Sequence, residues 1–142
     1  MTITATRTIA DLAEQTGVTV TTGHESDFEI PVLTGMQRQG DVLLIPSLDG
    51  DAPTTPVPAS GCPVVRGENG GNTHAIYADG PGVLCDTFAA DATRLRVATL
   101  LVPGGSTAYL GHPEHAFQGI GPGRYEIRRQ REMADELRMV AD

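Results

Sequence analysis

The chain has 142 residues, 39% of them hydrophobic, which is enough for one domain with a single core. Its net charge of −8 opposes general binding of nucleic acid, and no apolar run approaches the roughly 18 residues of a membrane span. Because residues 1–15 lack an apolar run of signal-peptide length, we expect a cytoplasmic protein. We also expect a single β-rich domain over residues 1–142.

The first predicted element is a short helix at residues 8–16. Thr8 suits the N-cap, and Asp11, three residues later, lies where the helix dipole favours a negative charge. Gly17 can adopt the left-handed conformation that ends a helix. The segment 18–21, Val-Thr-Val-Thr, is predicted to be a strand.

Short apolar segments between Gly and Pro turns follow, a pattern typical of a small β-barrel or β-sandwich. Residues 28–33 are predicted as an edge strand, because Pro31 cannot donate a backbone hydrogen bond. Residues 41–45 contain a continuous apolar run after Asp41, and residues 95–102 are apolar on both faces except at Arg96 and Thr99, so both segments are predicted as strands buried on both faces. Residues 46–63, with five prolines, two glycines and no periodicity, are predicted as a surface loop.

The last predicted element is a C-terminal tail at residues 131–142. Met133, Leu137 and Val140 recur at helical spacing, so the tail is expected to dock as an amphipathic helix or to remain extended. The predicted fold class is therefore mainly β, a small barrel or sandwich with a short N-terminal helix and a helical or extended tail.

Three of the four histidines lie beside turns. His74 follows a Gly-rich turn, and His112 and His115 belong to the segment Gly-His-Pro-Glu-His. Imidazole is the commonest metal-ligating side chain, and carboxylates complete such sites. If the two strands are neighbours, the histidines could bind one transition-metal ion with Glu68 or Glu114 as a fourth ligand. The alternative is a set of surface histidines with ordinary hydrogen bonds.

A cluster of arginines near the C-terminus is the second candidate site. Its members are Arg124, Arg128, Arg129, Arg131 and Arg138. Acidic residues alternate with them, which is typical of a salt-bridged solvent-exposed face. The alternative is a surface for an anion, an RNA or a protein partner. Contact with nucleic acid would be local to this segment, because residues 93–142 hold seven of the ten basic residues.

The chain has two cysteines, Cys62 and Cys85. Neither has a second cysteine at the C-x-x-C spacing of zinc sites. Without an export signal, two reduced thiols are expected, and a disulfide or a metal site is the alternative.

An ordered series of short motifs runs through residues 67–142: a G-E-x-x-G turn before a histidine, H-x-E-H, G-x-Y-x-[IV], Q-R-E and R-x-V-A-D. The residues that match are Gly67, Glu68 and His74; His112, Glu114 and His115; Gly123, Tyr125 and Ile127; Gln130, Arg131 and Glu132; and Arg138, Val140, Ala141 and Asp142. The series resembles a small bacterial protein family of unknown function. This resemblance implies no particular activity.

A looser similarity involves residues 102–106, Val-Pro-Gly-Gly-Ser, and His112. The segment is similar to the second motif of the cupins, in which a P-x-G turn precedes a metal-binding histidine. The similarity implies a jelly-roll, cupin-like arrangement and a histidine-bound metal. The paired H-x-H of the first cupin motif is missing from this chain.

Two functions follow from these patterns. The favoured one is an accessory or interaction domain without enzymatic activity, whose protein partner or second copy docks on the arginine cluster. The alternative is a small metal-binding protein or metal-dependent enzyme that uses His74, His112 and His115. The first is favoured because the sequence contains no complete catalytic set.

Overall fold

The chain folds into one helix and two five-stranded sheets, as a computed structural model shows for residues 6–21, 26–66, 72–88 and 96–129. Helix α1 spans Ile9–Thr16. The strands are β1 (Val32–Leu33), β2 (Gln37–Gln39), β3 (Val42–Pro46), β4 (Cys62–Val65), β5 (His74–Asp79), β6 (Leu84–Thr87), β7 (Arg96–Val102), β8 (Thr107–His112), β9 (Ala116–Ile120) and β10 (Gly123–Arg129). The predicted tail at 131–142 lies outside the described residues.

Helix α1 has the predicted start and end. The Thr8 hydroxyl accepts a hydrogen bond from the Asp11 amide, and the Asp11 carboxylate accepts one from the Thr8 amide, which completes a capping box. Gly17 ends the helix with a φ of 77°. No helix in the described part of the chain is both long and apolar enough to cross a membrane.

The segment after the helix is not the strand that its alternating sequence predicts. Residues 17–21 form no ladder, and the Thr21 amide donates instead to the carbonyl of Pro113 at 2.8 Å. Val18 and Val20 pack, half-buried, against the apolar cluster of α1. The prediction was wrong because alternating apolar and polar residues indicate one buried and one exposed face, but a strand also needs a neighbouring strand to pair with.

The two sheets form a β-sandwich. The first has the order β1-β9-β8-β5-β4 and the second the order β2-β3-β10-β7-β6. All neighbours are antiparallel except β1 and β9, which are parallel. Neither sheet closes into a barrel within the described residues, so the sandwich is the alternative that the chain adopts.

The main core lies between the sheets. The first sheet contributes Ile76, Leu110 and Ile120, and the second contributes Leu44 and Leu100, all with 0% exposure. Strand β7 is internal, between β10 and β6, in agreement with its apolar sequence. Its two faces are unequal, however, because the side chains that alternate with its core residues are less completely buried.

A second, smaller cluster covers the outer face of the first sheet. Ile9 and Leu12 of α1 pack against Tyr109 of β8 and Phe117 of β9. Strand β8 is therefore buried on both faces along its whole length.

The Pro-rich segment is shorter than predicted. Pro46 is the last residue of β3 and Cys62 the first of β4, so residues 47–61 form the connection. Part of this connection runs beside β6, where Pro56 forms a β-bridge with Leu84. It therefore also covers the free edge of the second sheet.

Candidate metal centre

The pairing of β5 with β8 brings two histidines to one end of the sandwich. Ala75 is opposite Gly111 in the antiparallel register, so the residues just outside that pair, His74 and His112, are neighbours. The third histidine, His115, lies in the tight turn that joins β8 to β9. Residues that are 38 positions apart in sequence thus meet through strand pairing.

The three imidazole rings form one compact cluster, which we call the histidine triad. The ring centroids of His74 and His112 are 4.2 Å apart, those of His112 and His115 are 4.7 Å apart, and those of His74 and His115 are 5.8 Å apart. One nitrogen atom from each ring lies within 4.8 Å of the corresponding atoms of the other two. His74 and His112 are buried and His115 is exposed, so the triad opens to solvent on one side.

The buried part of the triad contains an unsatisfied polar atom. Nε2 of His74 has no hydrogen-bond partner within the described residues, although the residue is only 5% exposed. A buried polar atom left without a partner costs about 1–3 kcal/mol. The ring that carries this atom lies beside two further imidazoles, and a cation bound at Nε2 would satisfy it.

His112 has a defined hydrogen bond on one nitrogen. Its Nδ1 accepts from the backbone amide of Glu114 at 3.0 Å, so the neutral ring carries its hydrogen on Nε2. Coordination through Nδ1 would replace the amide by the cation. Glu114 is exposed, so its amide could then donate to water.

Burial keeps the inner rings neutral. Burial, together with the neighbouring His112 and against the carboxylate of Asp41, lowers the pKa of His74 to about 4. Burial and His115 likewise lower the pKa of His112, against the carboxylates of Glu114 and Asp41. At neutral pH both rings are therefore unprotonated, which is the form that binds metal.

Sequence reasoning missed the turn between β2 and β3, which lies against the triad. A Cβ atom added to Gly40 would be 2.9 Å from Nε2 of His115, and Gly40 has a φ of +59°. The next residue, Asp41, supplies the carboxylate that acts on His74 and His112. The sequence marks Gly40 as a turn but contains no signal that places it beside His115.

The two glutamates predicted as further ligands have different outcomes. Glu68 lies outside the described residues. Glu114 is exposed, and its Oε1 accepts a hydrogen bond from Nδ2 of Asn72 at 2.9 Å. Its carboxylate raises the pKa of His112, so it lies close to the triad.

The arginine cluster is only partly described, because Arg131 and Arg138 lie outside the described residues. Arg124 donates to the backbone carbonyls of Asp49 and Gly50. On the same strand, Nε of Arg128 donates to Oε2 of Glu126 at 2.8 Å, and the charge of Arg129 lowers the pKa of His74. Arg124 and Arg128 are thus engaged within the domain.

Comparison with known families identifies the chain. The family model described as Domain of unknown function (DUF8820) matches residues 38–130. The chain belongs to this family. The matched range contains the whole triad of the DUF8820 domain, together with Asp41. This family match agrees with the resemblance to a family of unknown function and gives no support to the looser similarity to cupins. No curated protein and no solved structure matches the chain significantly.

Proposed function

We propose that the DUF8820 domain binds one transition-metal ion through His74, His112 and His115. The observation that carries this proposal is the meeting of three imidazoles at one point, one of them with a buried, unpartnered nitrogen. The sequence favoured an interaction domain that docks through the arginine cluster over a metal-binding protein. We reverse that preference because Arg124 and Arg128 of the arginine cluster are engaged within the domain.

The distances support binding after a small movement. Tetrahedral zinc with bonds of about 2.0–2.1 Å places its ligand nitrogens about 3–3.5 Å apart. The three nitrogens of the triad are within 4.8 Å of one another. Rotations of the exposed His115 side chain, on its turn, would provide most of the contraction.

The donor set favours an open site. Three neutral imidazoles suit zinc, copper, nickel or iron, and sites with three protein ligands keep a position for water or a substrate. In this domain that position would lie on the exposed side, near His115. The carboxylates of Asp41 and Glu114 would offset part of the charge of the cation.

The test is a metal titration of protein purified without a histidine tag and stripped with a chelator. We expect one Zn²⁺ per chain by calorimetry and a visible absorption band with Co²⁺. His74→Gln should weaken Zn²⁺ binding more than about 100-fold, beyond the 10–100-fold that follows loss of an outer hydrogen-bond partner. Asp41→Asn should weaken it about 10-fold through the lost negative charge.

Asp51→Asn is the matched control, because it removes an equal charge far from the triad. Asp51 follows Gly50, which contacts Arg124 at the start of β10, whereas the triad lies near Arg129 at its end. Its affinity for Zn²⁺ should stay within about twofold of wild type, since a distant exposed charge is screened. Zn²⁺ binding that survives His74→Gln and His112→Gln in folded protein would refute the proposal.

A second candidate function is self-association through β1, and exposed apolar side chains favour it. Val32, Leu33 and Met36 are 42%, 51% and 70% exposed, and β1 is an edge strand with no neighbour on one side among the described strands. Exposed edges and apolar patches are typical interaction surfaces. Light scattering should show a dimer that Leu33→Lys dissociates and that Leu48→Lys, at another exposed leucine, leaves intact. A monomeric wild type would refute this function.

A further inference from the structure

The two cysteines meet at one side of the sandwich. Cys62 opens β4, the edge strand of the first sheet, and Cys85 lies in β6, the edge strand of the second. The side chain of Cys62 packs against the core cluster that contains Cys85. In the strand ladders Cys62 is opposite Ile76 and Cys85 is opposite Leu100, and both partners are core residues, so both thiols face the space between the sheets. Both cysteines are free thiols in this structure.

We propose that Cys62 and Cys85 form a reversible disulfide that joins the two sheets at this edge. Both thiols face the core from the edge strands of the two sheets, which is the arrangement that an S–S bond of about 2.05 Å between the sheets requires. At the opposite edge the two sheets are joined by hydrogen bonds between side chains and backbone. There Nε2 of Gln39 in β2 donates to the carbonyl of Leu110 in β8, and Nε2 of Gln37 donates to that of Gly119 in β9.

The two sulfurs differ in exposure and in pKa, so they have different roles in the reaction. Cys62 is half-buried, and the hydrogen bond from Cys85 lowers its pKa, so it is the sulfur that solvent can reach as a thiolate. Cys85 is 2% exposed, and its pKa is raised by that same hydrogen bond, by burial and by the charges of Cys62 and Asp86. The two causes that come from Cys62 disappear once Cys62 is bonded to another sulfur.

A small-molecule disulfide such as oxidised glutathione would serve as the oxidant. The Cys62 thiolate attacks one of its sulfurs, forming a mixed disulfide and releasing one glutathione thiolate. The Cys85 sulfur then attacks the sulfur of Cys62 and releases the second glutathione thiolate. The two thiolates take up the proton of Cys85 and, from solvent, the proton that Cys62 lost when it ionised. Two protein thiols are oxidised to one disulfide, and oxidised glutathione is reduced to two molecules of glutathione.

The experiment incubates the full chain with oxidised glutathione and then counts free thiols and measures intact mass. We expect the wild type to lose both thiols, to retain no glutathione and to remain monomeric under denaturing conditions. The cross-link closes a loop of over 20 residues, so the unfolding midpoint should rise by about 5–10 °C. Dithiothreitol should reverse both changes.

Two variants separate the roles of the sulfurs. Cys85→Ser should retain one glutathione on Cys62, and Cys62→Ser should leave the buried Cys85 unmodified in the folded protein. If Cys85→Ser does not fold, Cys85→Ala avoids the buried hydroxyl and makes the same test. A wild type that keeps both thiols, retains glutathione like Cys85→Ser, or forms only intermolecular disulfides would overturn the proposal.

Discussion

His74 makes a quantitative prediction about how stability depends on pH. Its side chain is 5% exposed and its pKa in the folded domain is about 4, against 6.5 for an ordinary histidine. At about 1.36 kcal/mol per pKa unit, this difference corresponds to at most about 3 kcal/mol.

The direction of the pH dependence follows from which state of the chain, folded or unfolded, binds the proton. Between pH 6.5 and about 4 the unfolded chain protonates this histidine and the folded domain does not, so protons favour unfolding. The contribution of His74 to stability is therefore complete above pH 6.5, falls as the pH is lowered through this window, and levels off below about 4. The lowered pKa of His112 acts in the same direction.

The assay is urea unfolding of chelator-treated protein at several pH values between about 7.5 and about 4. His74→Gln removes the titrating group, so its unfolding free energy should fall less steeply with decreasing pH, by up to about 3 kcal/mol over the window. A difference in stability that is constant with pH would reflect altered packing alone. Identical slopes for the variant and wild type would refute the reasoning. With Zn²⁺ present, the wild-type slope should become steeper, because protonation competes with metal binding.

Three further predictions concern packing, a turn and a cap. Leu100→Ala should cost about 2–5 kcal/mol in urea unfolding, because the side chain has 0% exposure, while Leu48→Ala, at 80% exposure, should change stability by less than about 0.5 kcal/mol. Gly40→Ala should destabilise the domain by about 1 kcal/mol or more and weaken Zn²⁺ binding, because its Cβ would displace His115; unchanged calorimetric affinity would contradict the latter. Thr8→Ala should lower the free energy of unfolding by about 0.5–2 kcal/mol through loss of the cap, measured by thermal or urea unfolding.

Sequence alone predicted those elements whose causes are local. The α1 helix could be bounded because Thr8, Asp11 and Gly17 satisfy or terminate its backbone within a few residues. Strands β3 and β7 were predicted from their apolar sequences, whereas β2 and β9 were not predicted. The strand at residues 18–21 was wrong because its alternation needed a partner that the fold does not place there.

The choice of a sandwich over a barrel required the tertiary structure, because open and closed sheets have the same alternation of buried and exposed residues. The histidines could be nominated from their turns, but their meeting depends on the β5–β8 register, and the approach of Gly40 and Asp41 depends on the packing of the two sheets. The approach of Cys62 to Cys85 likewise depends on how the edges of the two sheets pack together. Caps and turns are set by neighbours in sequence, whereas all these contacts arise from long-range pairing and burial, which no local pattern specifies.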